Sequence, residues 1–340
     1  MIDETSMIWF ALRDRRTGLV ERSLLKDSSA RRQTFVAAMA QFEEQMEAAK
    51  VVTPATRPIN LYYGLVQAGM AIAAAHAPGQ WSFNRHGLKL VDAQPDLPDI
   101  QVAPEGDGAF QRVALATGSP TIEEAASLGK LWLSLPDLLG VYLPNSTGSP
   151  SIALSPGTFR GTSGPRAQLY LSPPDMPEDQ TEQARRFLEI LSDYPGARDG
   201  QIPYNAESIR PPDRPNQNWQ VTVEWPPPQM WRDATREEID SFFAGIAPEY
   251  RYRGDRFLRP YLENKRLPPS CLMTWWLLLY SFSMLARYQP RKWTALLDLN
   301  KSPSAVALQY ALEIAISVIP HLVLDALDQD PFLMAKQLAF

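Results

Sequence analysis

Three places in the sequence carry side chains that could act on something outside the chain. The first is QWSFNRHGLKL, Gln80–Leu90, where Asn84, Arg85 and His86 precede a glycine. A guanidinium beside an amide and an imidazole could hold an anion. No glycine-rich phosphate loop accompanies them, and the leading reading of His86 is a hydrogen-bonded side chain that fixes a turn. The second is YRYRGDRFLRPYLENKR, residues 250–266, with five Arg and one Lys against Asp255 and Glu263, a local charge of +4, and four interleaved aromatics. Arg251, Arg253, Arg256 and Arg259, with Tyr252, could grip phosphates while aromatic faces stack on bases. The same residues could instead meet an acidic partner protein, or pair with the chain's own carboxylates. The third is Arg287 in LLLYSFSMLARYQPRKW, read as bonding carbonyls at a helix end, with a binding role as the alternative.

Defined reactions find little support. A phosphate-binding loop needs Gly-x4-Gly-Lys-Ser/Thr, but the Gly129-Lys130 pair has Glu124 in the first glycine position and Leu131 after the lysine. A helical ribonuclease of the HEPN type needs an Arg about one turn before a His, and His76, His86 and His321 all lack one. Asp255, Glu263 and Lys265 offer the residue types of a magnesium nuclease, but Pro260 interrupts the strand hairpin that chemistry uses. Cys271, the single cysteine, lies in the most apolar stretch and reads as an inert buried thiol. With three scattered histidines there is no zinc-ligand spacing. The sequence therefore implies no catalytic residue, no metal and no cofactor.

The elements that must position these residues are mostly helical. In 340 residues, 45% hydrophobic and 21% charged, there is material for a sizeable core. The net charge of −5 argues against a cationic nucleic-acid coat. The first residues have acids where a secretory signal would have a basic start, so a cytoplasmic protein is expected. CLMTWWLLLYSFSMLA, residues 271–286, is shorter than the roughly 20 apolar residues of a membrane span and contains polar positions, so it reads as a buried core helix with no membrane partner.

Behind Asp27 or Ser28 as N-cap, Phe35, Met39, Phe42 and Met46 mark one helix face. INLYYGLVQAGMAIAAAH has no acid, Lys or Arg, and its Gly64, Ala68 and Gly69 would let another backbone come close. The uncharged CLMTWW helix is the expected neighbour, with Pro78 and Gly79 ending the earlier helix. From Val91 to about Pro228, Pro, Gly and short alternating runs suggest a mixed region. DIQVAP, GAFQRVAL, RAQLYLS and WQVTVEW read as strands. TIEEAASLGKLWLSLPDL, capped by Thr121, and EDQTEQARRFLEIL read as helices, and Thr235 with Glu238 forms a capping box that restarts helix. Near the C-terminus, Pro320 is expected to break an apolar helix in two. The predicted fold is mainly α with a smaller α+β part: a helical body from N- and C-terminal helices (residues 1–90 and 233–340) around a mixed middle, 91–232.

At LYYGLVQAGMAIAA, NRHGLKL and LLLYSFSMLARYQPRKW the chain resembles the YaaC-like family of bacterial proteins. The likeness rests on an aromatic-rich helix leading to a His-Gly-Leu turn, then a Ser-Met-Leu-Ala-Arg-Tyr-x-Pro-x-x-Trp run and an Ile-Pro-His segment. The resemblance implies a mostly helical cytosolic protein, and relatives of this kind beside restriction or phage-defence genes imply a subunit of such a system. The expectation is a non-enzymatic subunit that binds another protein encoded nearby. The alternative is a nucleic-acid-binding or nuclease component working through residues 250–266.

Overall fold

The computed structural model describes residues 4–17, 23–26, 28–92, 96–156, 166–172, 176–195, 205–213, 218–225, 235–250 and 253–328. Among them helix outweighs strand by 56% to 12%, so the fold is mainly α with an α+β part. The chain divides into two compact units, one from residues 1–148 and 268–340, the other from 149–267.

In the first unit, α1 (Glu4–Thr17), α2 (Ser29–Val51) and α3 (Arg57–His76) precede β1 (Leu88–Asp92), β2 (Gln101–Pro104), α4 (Ala109–Ala116), β3 (Ala126–Ser127) and α5 (Leu128–Leu133). The C-terminal part adds α8 (Cys271–Tyr288), α9 (Pro290–Leu296) and α10 (Ala305–Asp328). Helix α3 lies at the centre, against α2, α4, α8 and α10. From Ile59 onward it has no acid, Lys or Arg to hydrate, and its small residues set how closely neighbours approach. A Cβ on Gly64 would stand 3.2 Å from Gln45 of α2, and one on Gly69 only 2.5 Å from the Trp276 ring of α8. The expected packing of α3 on α8 is therefore present: Tyr62 meets Trp276 and Tyr280 edge-on, with ring centres 6.3 and 5.6 Å apart.

Two buried arginines join α2 to α3 reciprocally. Arg31, in the first turn of α2, donates to the carbonyls of Ala74 (2.9 Å), Ala77 (3.0 Å) and Gly79 (3.0 Å) at the end of α3. Arg57, the first residue of α3, donates to the Ala49 and Val52 carbonyls at the end of α2, at 2.9 and 3.1 Å, and pairs with Glu313 of α10. Each guanidinium satisfies carbonyls that have no partner within their own helix. Ser28 is the N-cap of α2, accepting from the Arg31 amide at 3.4 Å, while Asp27 lies outside the described residues.

Helix α8 is buried on nearly all sides from Leu272 to Leu285. Cys271, at its first position, is half-buried rather than sunk in the apolar middle, because it stands at the helix end. Gln289-Pro290 ends α8 as expected, and Trp293 of α9 folds back, stacking on Phe282 at 5.7 Å and donating to the Ala55 carbonyl at 3.0 Å. Helix α10 runs unbroken through Pro320, contrary to the expected break. The buried neighbours Val318, Ile319, His321 and Val323 hold it on both sides of the proline, outweighing the lost backbone bond. Among the described helices α10 is long and apolar enough to cross a membrane, and 61% of its most apolar window is buried inside the protein.

Two further segments differ from the sequence reading. GAFQRVAL forms helix α4, not a strand: the Gln111 side chain accepts from the Gly108 amide at 3.1 Å and donates to the Gly87 carbonyl at 2.8 Å, fixing a helical first turn. In TIEEAASLGKL, Ala126–Ser127 pairs with β2 as a strand, and the helix begins only at Leu128 with Ser127 rather than Thr121 as its cap.

The second unit holds β4 (Ile152–Pro156), β5 (Arg166–Leu171), α6 (Gln180–Leu191), β6 (Asn205–Arg210), β7 (Trp219–Glu224), α7 (Arg236–Ile246), β8 (Glu249–Tyr250) and β9 (Asp255–Leu258). Its antiparallel sheet runs β6-β7-β5-β4-β9-β8. Phe187 and Leu191 of α6 and Phe243 and Ile246 of α7 share one core with Leu154, Leu169, Val221 and Val223 of the sheet. The capping box at Thr235 is formed as predicted. The composition change at Val91 and the restart of helix near 233 are not the limits of the compact units. Tyr280 of α8 donates to the Leu88 carbonyl of β1 at 2.7 Å, tying that strand to the helical body. At the other limit, Ile152 of β4 pairs with Leu258 of β9 and takes 249–258 into the second sheet.

Candidate functional site

The His-Gly-Leu turn and its surroundings bring together Asn84, Arg85, His86, Glu105 and Gln111. The chain leaves α3 at Ala77, and Arg31 lies over the Trp81 ring at 5.4 Å. Gly87 has φ +77°, and a Cβ there would stand 1.9 Å from the Gln111 side-chain oxygen, so the turn needs glycine for both conformation and space. The Arg85 and His86 carbonyls accept from the Ala109 and Phe110 amides at 2.9 and 3.1 Å, clamping the turn onto the start of α4.

His86 has one ring nitrogen committed. Its Nδ1 lies 2.9 Å from the Tyr62 hydroxyl, and its ring is 5.5 Å from Tyr62 and 5.8 Å from Tyr280. Nε2 makes no hydrogen bond among the described residues. Burial, then the positive charge of Arg287, lowers the His86 pKa below its ordinary value. Burial also raises the Tyr62 hydroxyl, and with Glu105 it pushes Tyr280 up to about 12. The cluster at neutral pH is therefore a neutral imidazole between two protonated phenols. Beside it opens a hollow of 580 Å³, walled by Val66, Met70, Phe83, Leu88 and Ala109 and edged by Asn84, Arg85, His86 and Glu105.

Arg287 is held at the same end of α8. Its Nε donates to the Ser283 carbonyl at 3.3 Å, one turn back within α8 rather than to the free carbonyls at the helix end that the sequence suggested, and one Nη donates to the Tyr63 hydroxyl at 2.9 Å. The guanidinium lies 5.5 Å from the Tyr63 ring and 5.1 Å from the Tyr288 ring. Arg287, far from the Arg85-His86 pair in sequence, thus belongs to the same neighbourhood: it bonds Tyr63, whose ring lies 6.0 Å from Tyr62, the partner of His86.

The basic stretch lies in the second unit. Arg251 and Tyr252 are outside the described residues; Arg253 is exposed in the turn after β8, and Arg256 and Arg259 are half-buried. Arg256 shares the core-facing side of β9 with Leu258 and donates to the Ala247 carbonyl at 3.4 Å. Tyr250 and Phe257 are buried edge-on to each other at 6.2 Å. Glu263 and Lys265 sit in a short 3-10 turn outside any strand, unlike the hairpin of a metal nuclease.

Sequence reasoning missed Glu105 and the pairing of Tyr62 with Tyr280 around His86. The one signal was that tyrosines recur in both uncharged helices.

Two histidines make stability depend on pH. His76 of α3 is buried and its Nε2–H donates to the Leu327 carbonyl at 2.8 Å; burial lowers its pKa against the opposing pull of that carbonyl and of Asp328. His86 is lowered as well. The unfolded chain therefore binds these protons at higher pH than the folded one. Stability should be full above the ordinary imidazole value of about 6.5 and fall as pH drops through the lower folded values. Urea midpoints measured from pH 7.5 to 5 check this, and His76→Gln, which keeps a donor for Leu327, should flatten part of the slope. A midpoint that rises toward pH 5 would contradict it.

No curated protein and no solved structure matches the chain. A family model described as YaaC-like Protein matches residues 12–327, from within α1 to the last turn of α10, and takes in both the His-Gly-Leu turn and the Arg287 run; the chain belongs to the YaaC-like family.

Proposed function

We propose that the chain is a non-enzymatic subunit of a bacterial phage-defence-type assembly, working in the cytoplasm by holding another protein encoded nearby. The observation that carries this reading is the surface cluster of Tyr63, Arg287 and Tyr288. Tyr288 is 68% exposed and Tyr63 37%, and the guanidinium between them is fixed by three polar contacts. Tyrosine and arginine are the residue types over-represented where partner proteins gain most of their binding energy. Order in the free protein spares the entropy of fixing a long side chain on association. The fitting partner offers a carboxylate to Arg287 and apolar surface to the two rings. The defence setting comes from the family resemblance. A nucleic-acid role for residues 250–266 is less well supported, because Tyr250 and Phe257 have their faces in the core.

The test is purification of the tagged, full-length chain from its native operon. A co-purifying protein should survive nuclease treatment, and both Tyr288→Ala and Arg287→Glu should reduce its recovery about tenfold or more, as expected for central interface residues. Melting temperatures should stay near wild type, at least for the exposed Tyr288 change. Recovery that is indifferent to both substitutions, or that vanishes with nuclease, overturns the reading.

A further inference from the structure

We propose that the hollow beside the His-Gly-Leu turn is a nucleotide site, taking the base against its apolar wall and Phe83 and the phosphate on Arg85. The inference is independent of the protein-binding reading and uses none of the residues assigned to that surface. The volume, 580 Å³, lies within the range of small-ligand pockets. Around an apolar wall stand side chains with complementary, uncommitted hydrogen-bonding capacity. The Arg85 guanidinium and the Asn84 amide make no side-chain hydrogen bond or ion pair among the described residues. His86 keeps Nε2 uncommitted while Tyr62 holds its other nitrogen. Among the described residues Glu105 is tied only to Lys89, in an exposed pair at 3.8 Å.

A planar guanidinium suits a phosphate, which it can meet through two parallel bonds. An aromatic ring offers a face on which any base can stack. The acceptors of Glu105 and the mixed donor and acceptor set of Asn84 and His86 match sugar hydroxyls and base edges. Two bonds brace the turn that carries these residues: Gln111 donates to the Gly87 carbonyl at 2.8 Å, and the Ala109 amide donates to the Arg85 carbonyl at 2.9 Å. The site is therefore held before a ligand arrives.

The experiment titrates AMP, GMP, CMP and UMP into the full-length protein by calorimetry, with adenosine, guanosine and inorganic phosphate as separate probes. At least one monophosphate should bind at one site per chain, more tightly than its nucleoside or phosphate alone. Arg85→Ala, at an exposed side chain, should weaken that binding about tenfold while leaving nucleoside binding and the melting temperature unchanged. Absence of binding by all four, equal binding by inorganic phosphate, or indifference to Arg85→Ala overturns the proposal. Tyr288→Ala should leave nucleotide binding intact and Arg85→Ala should leave the co-purifying protein in place, so failure of either reading is seen separately.

Discussion

Trp276→Ala should lower the stability of the protein by about 3–5 kcal/mol and leave most of it insoluble, with or without a partner present. Trp276 has no exposed surface. It fills the space that Gly69 opens on α3, beside Val113 of α4, and meets Tyr62 edge-on. Removing the indole loses its transfer free energy and leaves a cavity between helices that cannot close, since α3 is held on its other sides. Gly69→Ala tests the same contact from the opposite side. Its new methyl would lie 2.5 Å from two ring carbons, an overpacking worth roughly 1–3 kcal/mol. In a Trp276→Ala background most of that cost should disappear, leaving only the contact with Val113. Urea unfolding of the four proteins gives the coupling directly, and purely additive losses would show that the helices do not meet there.

The second large effect is expected for Arg31→Ala, roughly 2–4 kcal/mol. The side chain is 8% exposed, and besides the carbonyls of Ala74, Ala77 and Gly79 it reaches that of Ala73 at 3.4 Å. Truncation strands the Ala74, Ala77 and Gly79 carbonyls at the negative end of α3, while Ala73 keeps its bond from the Ala77 amide; a positive charge is also favourable there. Arg31→Lys should recover only part of the loss, because an ammonium cannot reproduce the planar fork that spans several carbonyls. Hydrogen exchange provides the local readout: amides from about Ala73 to Gly79 should lose protection before the rest of α3. A loss spread evenly over the protein would remove the capping account.

Long, strongly periodic elements were legible in the sequence. Phe35, Met39, Phe42 and Met46 foretold the buried face of α2, and the absence of charge in α3 and α8 foretold that they pack together. That absence of charge holds for Ile59–His76 and Cys271–Ala286, the stretches between Arg57 and Arg287 at the outer ends of the two helices. What the sequence concealed was decided by contacts between distant residues. The eight residues of α4 read equally well as a strand, and the bond from Gln111 to Gly87 selects the helix. The limits of the two units escaped because a strand pairing between Ile152 and Leu258 leaves no local mark. At the candidate site, Arg85, His86 and Arg287 stood out by residue type, whereas their convergence depends on Tyr62 and Tyr280, from helices far apart in the chain. In the basic stretch, charge drew the eye to a segment where the adjacent pair Phe257-Leu258, both buried, marks a strand end covered on both faces.

The interruption of the helical body by the second unit has a consequence during synthesis. Helix α3 ends at His76 and the helix that covers its Trp276 side starts at Cys271, so the ribosome must add about 200 residues in between. At about 5–20 residues per second the uncovered flank waits roughly 10–40 s. The inserted unit, whose strands and helices lie in one continuous segment, is made during that delay and is whole only at residue 267, four residues before α8 begins. The nascent chain should therefore pass through a long-lived state with an open, apolar first half followed by a growing insert, a species that holdase chaperones would recognise. Fast overproduction should stall the protein at that stage, and slower translation or added chaperone should raise the yield of native chain without any change in its final stability.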